Sequence, residues 1–113
     1  MEKIIRIDDK DVTFKANAAT PRRYRAQFGR DLLVDIQAII DEAGKGKALS
    51  PEALNNFEDF AFTMAKQADE SLPATPDEWL EGFGIFSIYN ILPQLVELWT
   101  ESTRTTSSSK KKA

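Results

Sequence analysis

The sequence contains no cysteine and no histidine among its 113 residues. The absence of thiols removes disulfides, thiolate nucleophiles and sulfur ligands; the absence of imidazole removes the commonest general base and zinc ligand at neutral pH. Serine and threonine are present, but no Ser-x-x-Lys arrangement offers a hydroxyl nucleophile its base. Glycine is also scarce, at five residues. Gly82 and Gly84 lack the third glycine and the preceding strand of a phosphate-binding loop. No apolar run reaches the roughly 18 residues that a membrane helix needs, and the opening MEKIIRIDD is too short for a signal peptide. These absences point to a non-catalytic protein with no metal and no cofactor, one that works by binding other proteins.

With 42% hydrophobic and 29% charged residues, the chain has the composition of one folded domain. We assign that domain to 1–100 and a disordered tail to 101–113. The net charge of −3 argues against nucleic acid as the main partner. Charge is unevenly distributed: residues 1–50 carry ten basic and eight acidic groups, a net of +2. Residues 51–100 carry one basic group, Lys66, against nine acidic, a net of −8. The last thirteen residues add +3.

The fold class expected is mainly α (α+β): an N-terminal β-hairpin, three main helices and one short one. Ile4, Ile5 and Ile7, then Val12 and Phe14, mark strands over 3–7 and 12–15 around the polar cluster Asp8, Asp9, Lys10 and Asp11. Thr20-Pro21, Ser50-Pro51 and Thr75-Pro76 each place a hydroxyl at a helix N-cap and a proline at N1, where the missing N–H costs nothing. Glu78, three residues after Thr75, completes a capping box there. The first helix is expected over 21–43, with an apolar stripe from Tyr24 through Phe28, Leu32, Ile36 and Ile39, stopped by Gly44. A second, over 51–68, turns Leu54, Phe57, Ala61, Met64 and Ala68 inward, with Phe62 about 100° from the centre of that stripe. A short helix over 76–81 ends at Gly82. The last, over 85–100, is apolar on most sides and carries Pro93 in its interior, where it bends the axis. Such a helix is either central or covered by a partner. The tail is rich in Ser, Thr and Lys and has no large apolar residue.

Two carboxylate clusters invite a metal reading. Asp77, Glu78 and Glu81 are better explained as favourable charges at the start of a helix, and Asp8, Asp9 and Asp11 as turn residues around Lys10. Arg22, Arg23 and Arg25, with Arg30 further on, suit self-association with an acidic surface of another copy; a solvated face and a phosphate grip are the alternatives. Phe62, Phe83 and Phe86 are the candidate partner-binding aromatics, the first because it lies off its stripe, the others because they follow helix-breaking glycines.

The segment Ala19-Thr20-Pro21-Arg22-Arg23-Tyr24-Arg25, followed by Phe28-Gly29-Arg30-Asp31-Leu32, resembles the tail assembly chaperones of long-tailed phages and prophages of Gram-positive bacteria. The likeness continues in Met64-Ala65-Lys66-Gln67-Ala68-Asp69, Asp77-Glu78-Trp79-Leu80, Phe86-Ser87-Ile88-Tyr89 and Leu92-Pro93, and in the ending Glu97-Leu98-Trp99 with its Ser/Thr stretch and lysines. The resemblance implies a protein that binds the tape measure protein and keeps it soluble until tail tube subunits polymerise around it. It implies location in the cytoplasm of the infected or lysogenic host, self-association, and absence from the mature virion. It also implies a longer product of ribosomal frameshifting that reaches the tail tube protein; since lysine codons are A-rich, Lys110, Lys111 and Lys112 are either a slippage tract for it or simply a solubilising basic tail. A virion structural protein, such as a head–tail connector or minor tail component, is the alternative.

Overall fold

A computed structural model describes residues 1–46 and 48–112, with side chains beyond Lys47 described through Thr103. Strands β1 (Glu2–Ile7) and β2 (Lys10–Lys15) form an antiparallel hairpin. The helices are α1 (Ala19–Phe28), α2 (Leu32–Gly44), α3 (Pro51–Ala68), α4 (Pro76–Leu80), α5 (Ser87–Asn90) and α6 (Leu92–Lys112). The architecture is mainly α with a small β element, as the sequence implies. None of these helices is long and apolar enough to cross a membrane.

The hairpin turn is tighter than its polar cluster suggests. Asp8 and Asp9 alone form it, with φ of 49° and 65°, and Ile7 pairs with Lys10. A two-residue turn with both φ positive matches the right-handed twist of the strands, and aspartate tolerates that region better than most residues. Alternation then puts Ile5, Ile7 and Phe14 inside and leaves Ile4 66% exposed.

Ser50 and Thr75 cap α3 and α4 as expected, accepting from the amides of Ala53 and Glu78. The Glu78 carboxylate accepts from the Thr75 hydroxyl, so the reciprocal bond of a full capping box is replaced by a side-chain contact. Thr20 is not a cap. Asn17 starts α1 instead: its side-chain oxygen accepts from the Ala19 amide, and its carbonyl accepts from Thr20. Thr20 is buried inside the first turn, where its hydroxyl accepts from the Asn17 amide and donates to Gln67.

The expected single helix over 21–43 is two helices. Gly29 takes φ 69°, its amide closing on the Arg25 carbonyl, and Asp31 caps α2 by accepting from the Leu33 amide. Only glycine adopts that left-handed stop cheaply. The last helix is also divided. α5 stops at Ile91, and Pro93 lies in the first turn of α6, where its missing N–H breaks no bond; it starts a helix rather than bending one. The described helix runs on to Lys112, past the expected end at 100; the side chains from 104 onward and residue 113, on which the expectation of a disordered tail also falls, lie outside the described residues.

The central element is α3. Six consecutive residues, 60–65, are buried on it, because β2 covers one side while α1 and α2 cover another. Leu54 and Ala68, expected inside, are half-buried at its ends.

Candidate functional site

The two most exposed large apolar side chains among the described residues lie where the chain leaves α4; Met1 and Ile4 on the hairpin and Leu33 and Val34 at the start of α2 are exposed to a lesser degree. Ile85 is 84% and Phe86 70% exposed, in a segment over 82–87 that belongs to no long helix. Its backbone is nevertheless held. The turn residue Asp8 accepts from the Gly84 amide at 2.7 Å and from the Ser87 hydroxyl at 2.6 Å. Lys10 donates to the Gly82 carbonyl at 2.9 Å and stands 5.4 Å from the centre of the Phe83 ring. These bonds join residues more than seventy positions apart, so the hairpin tip acts as a latch on the loop. Gly84 fits that latch closely: a Cβ there would come 3.0 Å from the Ser87 hydroxyl and 3.5 Å from the Asp8 carboxylate. The two hydrogen bonds, from Ser87 first and then Gly84, hold the Asp8 carboxyl below its ordinary pKa.

Beneath the loop is an aromatic anchor. Trp79, 5% exposed, meets Phe83 at 5.2 Å, Phe62 at 5.8 Å and Phe14 at 6.4 Å between ring centres. The three candidate partner-binding aromatics therefore separate. Phe86 is exposed, and Phe83 is half-buried between Trp79 and Lys10. Phe62 is completely buried and unreachable. Its offset from the α3 stripe turns it toward Trp79, not toward solvent, since α3 has neighbours on several sides. Ile85, beside Phe86, is not among the candidate residues of the sequence; its position directly after Gly84 is the signal that marks it.

The candidate self-association arginines separate in the same way. Arg30 is directed inward: it donates to Asp59 at 2.6 Å, to Tyr24 at 2.9 Å and to Asp35 at 3.0 Å. Its guanidinium also stacks on Tyr24 and Phe28. Burial opposes its charge, but the bonds to Asp59, Tyr24 and Asp35 prevail and raise its pKa. Burial pushes the Asp59 carboxyl up, against the pull of Arg30, and pushes the Tyr24 hydroxyl well above its usual range. Tyr24 donates to Asp35 at 2.7 Å, so one network fastens α1, α2 and α3 together. It commits much of the Arg30 guanidinium to intramolecular bonds, although the side chain keeps 38% of its surface exposed. Arg23 pairs with Glu70 at 2.7 Å. Arg22 and Arg25 are exposed and form no ion pair among the described residues.

Among the described residues no group of acidic side chains is arranged to hold a metal ion. Asp8 is engaged by the loop, and Asp11 by Arg6 at 3.0 Å. The arrangement presents two large apolar side chains on a backbone held by the hairpin tip. No family model, curated protein or solved structure matches the chain.

Proposed function

We propose that this protein is a phage tail assembly chaperone that holds the tape measure protein in soluble form through the loop at 82–87. The observation that carries the reading is the pair Ile85 and Phe86, solvent-exposed yet held on a latched backbone. Side chains of this size left in water on an ordered loop favour an apolar partner surface, and a loop already held in place loses less conformational freedom on binding. The split charge and the motif order shared with tail assembly chaperones direct the reading toward that family. The long helical tape measure protein supplies apolar helix faces of the required kind, and the chaperone works in the host cytoplasm, leaving before the virion matures.

Co-expression with the tape measure protein is the test. Replacing Ile85 and Phe86 together by Ser removes only exposed side chains, so the chaperone remains folded. The tape measure protein is expected to move into the insoluble fraction. A folded double variant that still keeps it soluble overturns the assignment of the loop. Detection of the 113-residue chain by mass spectrometry in purified mature particles overturns the chaperone reading in favour of a virion component.

A further inference from the structure

The hairpin has two strands, so β2 has a second edge with no strand beside it. The phase of the ladder fixes which backbone groups lie on that edge. Met1 and Ala16 exchange both backbone bonds, at 2.8 and 2.9 Å. Hydrogen-bonded pairs then recur every second residue, through Phe14, Val12 and Lys10 on β2. The N–H and C=O groups of Asp11 and Thr13 therefore point away from β1. They take no backbone bond from elsewhere among the described residues.

That edge borders a groove of about 660 Å³, between β2 and the connection from α3 to α4. Its floor includes Val12, Leu72, Trp79 and Phe83. Its charged lining is Glu2, Asp11, Asp69 and Glu78 against Lys10 alone, four negative to one positive, a net of −3. Asp11 is already paired with Arg6 and Lys10 with the Gly82 carbonyl, so Glu2, Asp69 and Glu78 set the field. The acidic groups of the hairpin, Glu2 and Asp11, are on its outer face; Val12 and the aromatic floor are on the inner one.

We infer that this edge is a strand-addition site for an extended segment of a partner protein in which Lys or Arg alternates with apolar residues. An added strand directs alternate side chains to opposite faces. One set enters the apolar floor and the other lies in the negative field set by Glu2, Asp69 and Glu78, while the main chain bonds to Asp11 and Thr13. The inference goes beyond the loop at 82–87 and holds whichever partner the chain serves.

The test uses a synthetic probe, the capped peptide Lys-Phe-Lys-Val-Lys-Val, titrated into the full chain carrying Trp99→Phe so that Trp79 is the sole indole. Binding should be saturable by Trp79 fluorescence, with the largest amide shifts at Asp11 and Thr13. Glu in place of Lys in the peptide should weaken binding about tenfold or more, roughly 1.4 kcal/mol. N-methylation of its strand-facing amides should do the same. Glu2→Lys combined with Glu78→Lys alters only exposed groups and should also weaken it. The proposal is overturned by no binding at millimolar peptide, by equal binding of the Glu peptide, or by shifts that cluster away from β2.

Discussion

Two sets of charged hydrogen bonds join distant parts of this chain, and they differ in what they accomplish. The Arg30 network ties α1, α2 and α3 at their crossing, with Asp59 and Asp35 largely shielded at 18% and 14% side-chain exposure. The hairpin latch joins Asp8 and Lys10 to residues 82–87 in open solvent. The bond lengths are similar. Where the carboxylates are shielded, losing Arg30, itself 38% exposed, strands them, so the network contributes to the fold. Where water is present, each group has a substitute partner, so the latch sets the position of a loop and contributes little to global stability. Stability is thus concentrated around α3, and the presented apolar surface lies at the other end of the hairpin's reach.

The sharpest contrast is between two phenylalanines. Phe62→Ala leaves a void beside Trp79 and should cost about 3–5 kcal/mol in urea unfolding, whereas Phe86→Ala should stay within about 0.5 kcal/mol of the parent. Similar losses at both positions would erase the division. Next in size is Arg30→Met, which keeps much of the packing but strands Asp59 and Asp35; it should cost about 2–3 kcal/mol. Arg22→Met, in an exposed arginine with no described ion pair, should be close to neutral.

The latch should respond to local probes more than to unfolding. Asp8→Asn weakens both accepted bonds, so the Gly84 amide should exchange faster with solvent while the midpoint of unfolding barely moves. A large drop in the midpoint would place the latch with the core. Acid should separate the two regions by sign. The Asp8 pKa is lowered in the fold, so its contribution is present above the unfolded value of about 3.9 and disappears as pH falls through the lower folded value. The Asp59 pKa is raised, so its contribution is present below the unfolded value and fades as pH rises through the folded one. NMR titration should therefore show Asp59 protonating before Asp8 as pH falls, with the Gly84 and Ser87 signals following Asp8.

The sequence disclosed most of this where a local rule acts on its own. Alternating Ile5 and Ile7, the caps at Ser50 and Thr75, and the stripe of Phe57, Ala61 and Met64 need only neighbouring residues. The failures came where tertiary context decides. Gly29 and Asp31 spelled a stop followed by a start, but the apolar stripe through Leu32 and Ile36 masked it. Pro93 reads equally as a bend inside a helix or the opening of a new one; only the break at Ile91 distinguishes them. Phe62 is the instructive case for the site. Helical periodicity shows which face is apolar but not how many neighbours a helix has, and α3 is covered on faces that an amphipathic surface helix would leave in water. The latch was invisible for the same reason, since nothing near Asp8 in the chain announces Gly84 and Ser87.

The proposed function requires that Phe86 contact the tape measure protein; position 22, on the exposed start of α1, serves as the comparison. Site-specific photo-crosslinking reads this directly, with the photo-reactive amino acid p-benzoylphenylalanine at position 86 and, in a separate chain, at position 22. In cells co-expressing the tape measure protein, the chain labelled at 86 should give a crosslinked species containing both proteins, and the chain labelled at 22 should give none. Crosslinking from 22 with none from 86 would contradict the account.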